Sequence, residues 1–396
     1  MHTAPLLLPL LALVAAMFPA PVAAEWGPGV WLQKAGIPLF AKPVVQNVTL
    51  FRALASPVPD AAHPGLCTVS GEIIARASHR SSVAEKAVNL LFKDVIANIK
   101  ASDQVQHWNF VKEFFFAHGN PHSDLDFYAQ VGSANIHIPG VQTGEHGITH
   151  TPFSLPFVPC DASEVPLTVK QADGHGFEKS VVRIVGETGY TIISDIDDTM
   201  KVTEVLNKGK AIENTLLNPF RPTVNHVPFY EMLNSKLASP TTGSPFFAYV
   251  SGSPHILYTP LREFLADKGF PAGEVYLSVF GVVDMDLWKG PQTQAHKFTS
   301  IRSIMKAYPK RSYVLIGDSG ELDAETYGIM YREFPDVDIK CIYIRKVHGG
   351  NPTLELVKNS DERFKAAWAG IPEGKAVAFD DPEELFGADI PSGKCF

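Results

Sequence analysis

The chain predicts an α/β fold in two parts: a mostly β, sandwich-like domain with a helical insertion, then a parallel sheet covered by helices. Three observations carry this. Short runs rich in β-branched residues fill residues 40–188. After "GETGY" the texture changes to apolar strands alternating with helical segments, the pattern of a parallel sheet covered on both faces. The first of those strands, in "TIISDIDDTMK" (191–201), runs straight into Asp195, Asp197 and Asp198. Like charges so close repel one another and resist burial, so their place at a strand end needs a chemical reason.

The 396 residues are 45% hydrophobic and 19% charged, enough apolar content for one large or two ordinary cores. A net charge of −8 with no long basic run argues against nucleic acid as a partner. Residues 1–24 are expected to be a cleaved signal peptide. "LLLPLLALVAAMF" is apolar but too short and Pro-broken to span a bilayer, and Val22 and Ala24 give the small-residue spacing that a signal peptidase reads. The mature chain would begin at Glu25 and be secreted or lie in the secretory pathway. No later segment reaches the ~18 consecutive apolar residues of a membrane span, so none is expected in the mature chain. Cys67, Cys160, Cys341 and Cys395 permit three full pairings, and none has the CxxC spacing of a zinc site. Pairing within each half, Cys67 with Cys160 and Cys341 with Cys395, is the economical choice. Asn47 in "NVT" is the one usable glycosylation sequon, because Pro352 spoils that at Asn351.

In chain order, "QNVTLFRAL", "CTVSGEIIARA", "DFYAQVG", "ANIHIPG", "PLTVKQA" and "KSVVRIVGE" read as strands of a β-rich accessory domain over residues 25–188. Inside it, residues 82–117 place Val83, Ala87, Leu90, Leu91, Val95 and Ile99 at helical spacing. Over 189–350 the strands "YTIISD", "PFFAYVS", "EVYLSVF", "SYVLIGD" and "IKCIYIR" alternate with helices near 226–238, 255–268, 297–308 and 323–333. Residues 351–396, rich in Pro, Gly and acids, read as a loosely packed C-terminal tail.

In open parallel sheets, ligands gather beyond the carboxyl ends of the strands. Asp195 and Asp197 stand at one such end, Ser251 followed by flexible Gly252 at the next, and Asp318 with Asp323 five positions on at a third. Lys297 opens a helix whose Ile301, Ile304, Met305 and Tyr308 form a buried stripe, which leaves the lysine at the strand-end face.

This order of acid pair, hydroxyl, lysine and acid pair resembles the haloacid dehalogenase phosphatase superfamily. The blocks "GYTIISDIDDTMKVTEVLNKGKAIENTLLNPFRP", "YVSGSPHILYTPLREFLADKGFPAG" and "YPKRSYVLIGDSGELDAETYGIMYREFPD", spread over residues 186–347, look like the catalytic domain of the fungal actin-patch phosphatidate phosphatases. The resemblance implies a haloacid-dehalogenase-like, uncapped phosphatase domain over 189–350 and a Mg²⁺-dependent conversion of phosphatidic acid to diacylglycerol and phosphate. It makes Asp195 the nucleophile that forms an aspartyl-phosphate and Asp197 the acid/base, with Ser251 and Lys297 holding the phosphoryl oxygens beside Thr199, Lys201 and Gly252. Asp195, Asp197 (through its carbonyl), Asp318 and Asp323 would hold Mg²⁺. Three features depart from the family: its known members act inside the cell, His255 replaces an expected aromatic, and the segment "GVVDMDLWKGPQTQAH" before Lys297 is unlike it in detail.

Asp195 lies 56 positions before Ser251, and Ser251 46 before Lys297; core elements fill both gaps, so no substantial cap is expected over the site. Lys201, Lys208, Lys210 and Arg221 could receive an anionic membrane surface bearing a phospholipid substrate. The same residues would serve a secreted phosphatase of phosphoproteins or soluble phosphomonoesters. A non-catalytic secreted interaction protein is the remaining alternative.

Overall fold

The computed structural model of the chain describes residues 45–80, 117–144, 146–171, 177–216, 218–278 and 291–396. The expected signal peptide and all but the end of the 82–117 helical insertion lie outside these residues, as does the Asn47 side chain. The described residues form two compact units that divide between Glu187 and Thr188.

The first unit is one eight-stranded sheet: β1 (Val45–Pro59), β2 (Leu66–Arg80), β3 (Ala117–Gly119), β4 (Leu125–Val131), β5 (Ala134–Pro139), β6 (Ile148–Pro159), β7 (Glu164–Gln171) and β8 (Phe177–Ile184). Hydrogen bonding runs in the order β3-β2-β1-β8-β7-β4-β5, with β6 on β2. Expected as sandwich-like, the unit is instead a single sheet curled around a single core, close to a barrel. Leu50, Val69, Ile73, Phe127, Leu155, Val169 and Val182, from six of the strands, meet in that core. β6 is not among the strands expected from sequence, and it carries Pro152 and Pro156, residues that ordinarily demote a strand. Its inward positions are nevertheless regular, Thr149, Thr151, Phe153 and Leu155 all being buried. Cys67 and Cys160 are bonded, as intradomain pairing predicts.

The second unit is a six-stranded, all-parallel sheet: β9 (Tyr190–Ser194), β10 (Phe246–Pro254), β11 (Gly273–Ser278), β12 (Ser312–Asp318), β13 (Asp338–Arg345) and β14 (Ala376–Phe379), in the order β11-β10-β9-β12-β13-β14. Its helices are α1 (Lys208–Leu216), α2 (His226–Lys236), α3 (Tyr258–Lys268), α4 (Pro291–Ala307), α5 (Asp323–Glu333), α6 (Pro352–Lys358) and α7 (Asp361–Ala367). Helices cover both faces. Successive residues of a strand point to opposite sides; Phe246 meets Tyr308 beyond α4, whereas Phe247 meets Tyr230 of α2. The stripe Ile301, Ile304, Met305 and Tyr308 is buried, as its spacing predicts. No helix among the described residues is long and apolar enough to cross a membrane.

The segment after residue 350 differs from the loose tail expected. It supplies β14 at the sheet edge and buries Phe364, Phe379, Leu385 and Ile390, and Cys395 is bonded to Cys341 of β13. Its Pro and Gly residues shape short turns between buried apolar anchors rather than an unpacked chain.

Counted from β9, the strand order is 3-2-1-4-5-6, so the chain reverses direction across the sheet between β9 and β12. Connections leave on opposite sides there and open a crevice at the carboxyl ends, where doubly wound sheets bind ligands. Every acid of interest gathers at this point.

His226 starts α2 fully buried, with its Nδ1 2.8 Å from the Val224 carbonyl and its ring beside Phe229 and Phe379. Burial, joined by the Arg345 charge, pushes it down to about 4. The unfolded chain, with an ordinary histidine near 6.5, then binds the extra proton first, so stability falls as pH drops from about 6.5 toward 4. Replacing His226 by Phe should remove an acid sensitivity on the order of 2 kcal/mol. Paired melting curves of wild type and H226F at pH 7.5 and 4.5 check it: the difference should move in favour of the variant at the lower pH.

Candidate active site

The three acids after β9 meet three different fates. Asp195 continues the β9–β12 ladder, its N–H donating to the Ile316 carbonyl at 2.9 Å, and its carboxylate enters the crevice. The chain then turns tightly, with Met200 and Lys201 N–H groups both donating to the Ile196 carbonyl. Asp198 takes a left-handed conformation (φ 54°), which aspartate tolerates better than most residues. Its carboxylate accepts the N–H groups of Thr203, Glu204 and Val205 at 2.8, 2.7 and 2.6 Å, so it organises the loop rather than the crevice.

Asp197 turns away from Asp195. Its Oδ1 accepts from Thr203 Oγ1 (2.8 Å) and pairs with Lys201 Nζ (2.9 Å), while Oδ2 accepts from Ser251 Oγ and Ser253 Oγ, both at 2.8 Å. Burial alone would raise its pKa, but the Lys201 ammonium and these hydroxyls together bring it down to about 2. Ser251 reaches it because β10 leaves the sheet at this point. Pairing with β9 ends at Tyr249, and the register with β11 breaks between Val250 and Pro254. Gly252, half-buried, lies inside that break.

Lys297, on α4, is buried among carboxylates: its Nζ lies 2.8 Å from Asp195 Oδ1, 2.7 Å from Glu321 Oε2 and 2.5 Å from Asp323 Oδ1. Thr199 Oγ1 donates to Asp195 Oδ2 at 3.1 Å. Asp323 Oδ2 accepts the Asp318 N–H at 3.2 Å, an approach that Gly317 permits. A Cβ on Gly317 would stand 2.5 Å from that same oxygen. Asp318 Oδ1 accepts from the N–H groups of Gly320 and Glu321 at 2.6 and 3.1 Å.

Three carboxylates thus share one ammonium with a fourth, Asp318, beside them, and the charge does not balance. Burial, then the neighbouring acids, push Asp195 and Asp318 well above the usual carboxylate range, and burial with Asp323 pushes Glu321 up to about 7 despite Lys297. For Lys297 the pull of Asp195, Asp323 and Glu321 outweighs burial and holds its proton firmly. Asp318 Oδ2 is buried without a hydrogen-bond partner. Asp195 Oδ1 also lacks one, because Lys297 meets it in ion contact without hydrogen-bond alignment. One oxygen each from Asp195, Asp318 and Glu321 lie within 4.8 Å of one another. Orphaned buried oxygens, a hard all-carboxylate donor set and uncompensated negative charge fit a hard divalent cation.

Among the sequence-predicted residues, the crevice brings together Asp195, Lys297, Thr199 and Asp318, with Asp323 binding Lys297 and the Asp318 backbone rather than joining the three clustered acids. Asp197 and Ser251 form the adjoining hydrogen-bonded group. Lys201 needs correction: expected on a surface that meets anionic lipid, it is 1% exposed and serves as the counter-ion of Asp197. Lys208, Lys210 and Arg221 are exposed. Sequence reasoning missed Glu321, Ser253 and Thr203. "GDSGELD" and "SGSP" carried the first two in plain view, but a glutamate or serine in a turn has no distinguishing spacing.

Residues 190–346 match the family model described as "Phosphatidate phosphatase APP1, catalytic domain". Phosphatidate phosphatase APP1 of Saccharomyces cerevisiae is 31% identical over 166 residues, covering 41% of this chain and 26% of that protein. An uncharacterized protein of Schizosaccharomyces pombe is 32% identical over 171 residues, 42% of this chain and 27% of that protein. The chain therefore spans about a quarter of the length of the curated relatives it matches.

A cation held by these acids should stabilise the fold by about 3 kcal/mol at a hundred times its dissociation constant. Asp318→Asn should melt at or above wild type in chelator, since it removes repulsion, and should lose the increase that millimolar Mg²⁺ gives wild type. Melting curves of both proteins with and without Mg²⁺ measure this directly.

Proposed function

We propose that this chain, whose residues 190–346 form an APP1-type catalytic domain, is a Mg²⁺-dependent phosphatidate phosphatase. The observation that carries the reading is the meeting of Asp195, Asp318, Glu321 and Lys297 at the carboxyl-end crevice of the parallel sheet, inside the matched segment. The strand order and the placement of acid, hydroxyl, lysine and acid at successive strand or helix ends support a haloacid-dehalogenase-like fold. Mg²⁺ is the natural hard cation for an oxygen-only set; Asp195, Asp318 and Glu321 would hold it, and the family resemblance adds the Asp197 carbonyl. Bound there, it would neutralise the acids and draw charge from the phosphoryl oxygens.

The residues then divide the work. Lys297 and the Ser251 hydroxyl bind phosphoryl oxygens and offset the charge that builds on them. An Asp195 oxygen forms a bond to phosphorus as the ester P–O bond breaks, and that electron pair leaves with the alcohol oxygen. Asp197 gives this oxygen its proton, leaving diacylglycerol and an aspartyl-phosphate. It then takes a proton from water, whose oxygen bonds to phosphorus as the Asp195–phosphorus bond breaks, so phosphate departs and both aspartates are restored. The resting site holds Asp197 as a carboxylate. Arrival of an anionic phosphate and withdrawal of the Ser251 bond both raise its proton affinity, so it takes the proton of the monoanionic ester before acting as the acid and yields the proton gained from water to the departing phosphate.

Exposed Lys208, Lys210 and Arg221 support a substrate presented on an anionic surface. Two disulfides, together with the apolar segment in residues 1–24, support a secreted or secretory-pathway location. A phosphatase of soluble phosphomonoesters or phosphoproteins would share the chemistry and differ only in substrate.

Phosphatidic acid vesicles should release phosphate in Mg²⁺ and not after metal stripping in excess chelator. Asp195→Asn and Asp197→Asn should each lose several powers of ten in turnover while folding normally; turnover within about tenfold of wild type would remove the assigned roles. Each basic residue near an anionic surface is worth about 1 kcal/mol and is screened by salt. Replacing Lys208, Lys210 and Arg221 by Gln should therefore lower vesicle hydrolysis at low salt and spare a soluble ester. Equal efficiency on lipid and soluble esters, indifferent to salt, would favour the soluble-substrate phosphatase.

A further inference from the structure

A carboxylate offers about four lone-pair positions, and all four on Asp197 are taken by the protein's own groups. Lys201 and Thr203 hold one oxygen; Ser251 and Ser253 hold the other. The clamp is itself fixed from behind. Lys201 Nζ donates to Thr203 Oγ1 at 2.5 Å and stands 4.9 Å from the centre of the Phe220 ring. The Thr203 N–H is anchored on Asp198 and its carbonyl accepts from Asn214 Nδ2 at 3.2 Å. The Ser253 N–H donates to Ser251 Oγ at 2.9 Å, which ties the two serines together.

A hydroxyl carries one proton. The Ser251 proton now points to Asp197, so it is not available to a phosphoryl oxygen. When Ser251 turns to the phosphate, one lone pair on Asp197 Oδ2 is freed toward the reacting oxygen. The other three contacts stay in place and hold the carboxylate in one rotamer.

We propose that Lys201 and Ser253 are positioning residues for Asp197: they keep its carboxylate in register as Ser251 releases it, and they touch neither substrate nor the reacting atoms themselves. The inference rests on the phosphatase reading and adds to it a division of labour between two serines of one turn. Ser251 exchanges its partner during turnover, and Ser253 does not. It also gives the buried Lys201 a role that a passive counter-ion would lack. General acid–base groups contribute 10²–10⁴-fold, and they do so only when correctly placed.

The test uses the full chain with Mg²⁺, an aryl phosphate and a rapid-quench assay. An aryl alcohol leaves without needing a proton, whereas hydrolysis of the aspartyl-phosphate still needs Asp197 as base. Ser253→Ala and Lys201→Gln should therefore accumulate the phosphoenzyme. An initial burst approaching one equivalent of aryl alcohol per site is expected, with steady turnover down about 10- to 100-fold and KM down in similar proportion, so that kcat/KM for the aryl ester stays within about threefold of wild type. Lys201→Arg, which keeps the charge, should recover part of the turnover. Lowered turnover without a burst would mean that these residues merely support the site, and would overturn the proposal. So would turnover within about threefold of wild type in both variants. If Lys201→Gln fails to fold by circular dichroism, Ser253→Ala decides alone by the same criteria. A wild-type protein inert toward every phosphomonoester tried would overturn the phosphatase reading and this inference with it. An active wild type with unaffected variants overturns this inference only.

Discussion

The second unit is organised around one electrostatic constraint: a single buried ammonium, Lys297, set among Asp195, Glu321 and Asp323, with Asp318 alongside. Such a set is expensive to bury, because desolvation and mutual repulsion both act against it. The fold meets the cost by drawing its members from four different elements that converge at one crevice. β9 delivers Asp195, β12 delivers Asp318, and the turn into α5 supplies Glu321 and Asp323. α4 supplies the lysine, anchored by an apolar stripe that cannot rotate without exposing Ile301, Ile304 and Met305. Gly317 completes the arrangement by leaving room for the Asp323 carboxylate against the end of β12.

Two carboxylates only two residues apart live in opposite fields. Asp195 sits with an excess of negative charge, and burial with its acidic neighbours raises its pKa. Asp197 sits with Lys201 and three hydroxyls, which overcome burial and bring it to about 2. Groups whose environments push their affinities apart are those that can take different chemical roles. The difference comes from direction alone: strand geometry sends the two side chains from one tip, and the tight turn through Asp198 steers the second toward the β10 serines. Asp198, which in sequence looked like a third member of an acid trio, makes that turn possible by capping three N–H groups.

The periphery follows the same economy. The C-terminal segment closes the sheet edge with β14 and is held to β13 by Cys341–Cys395, so the strand next to the site-bearing β12 is covered on its far side. Lys208, Lys210 and Arg221 remain as exposed basic residues once Lys201 is withdrawn into the interior. Of the four basic residues that follow Asp195, three therefore face solvent and the fourth pairs with Asp197.

Sequence alone determined the parallel, helix-covered architecture of the second unit, because strands buried on both faces must be continuously apolar and their alternation with amphipathic helices is visible in one dimension. It also singled out Asp195, Ser251 and Asp318, each at the end of an apolar strand, and Lys297 beside the buried stripe of its helix, and the folded chain brings these four to the carboxyl ends of neighbouring strands. Only the tertiary structure decided what the neighbours do. Glu321 against Asp323 and Ser253 beside Ser251 depend on turn conformations. So does Lys201 facing inward rather than to solvent, and such turns leave no periodic trace. The curled single sheet of the first unit was likewise hidden, because alternation tells which residues face a core but not whether the strands close around one. Direction in a turn and closure of a sheet are long-range facts, fixed by which partners the folded chain brings within bonding distance.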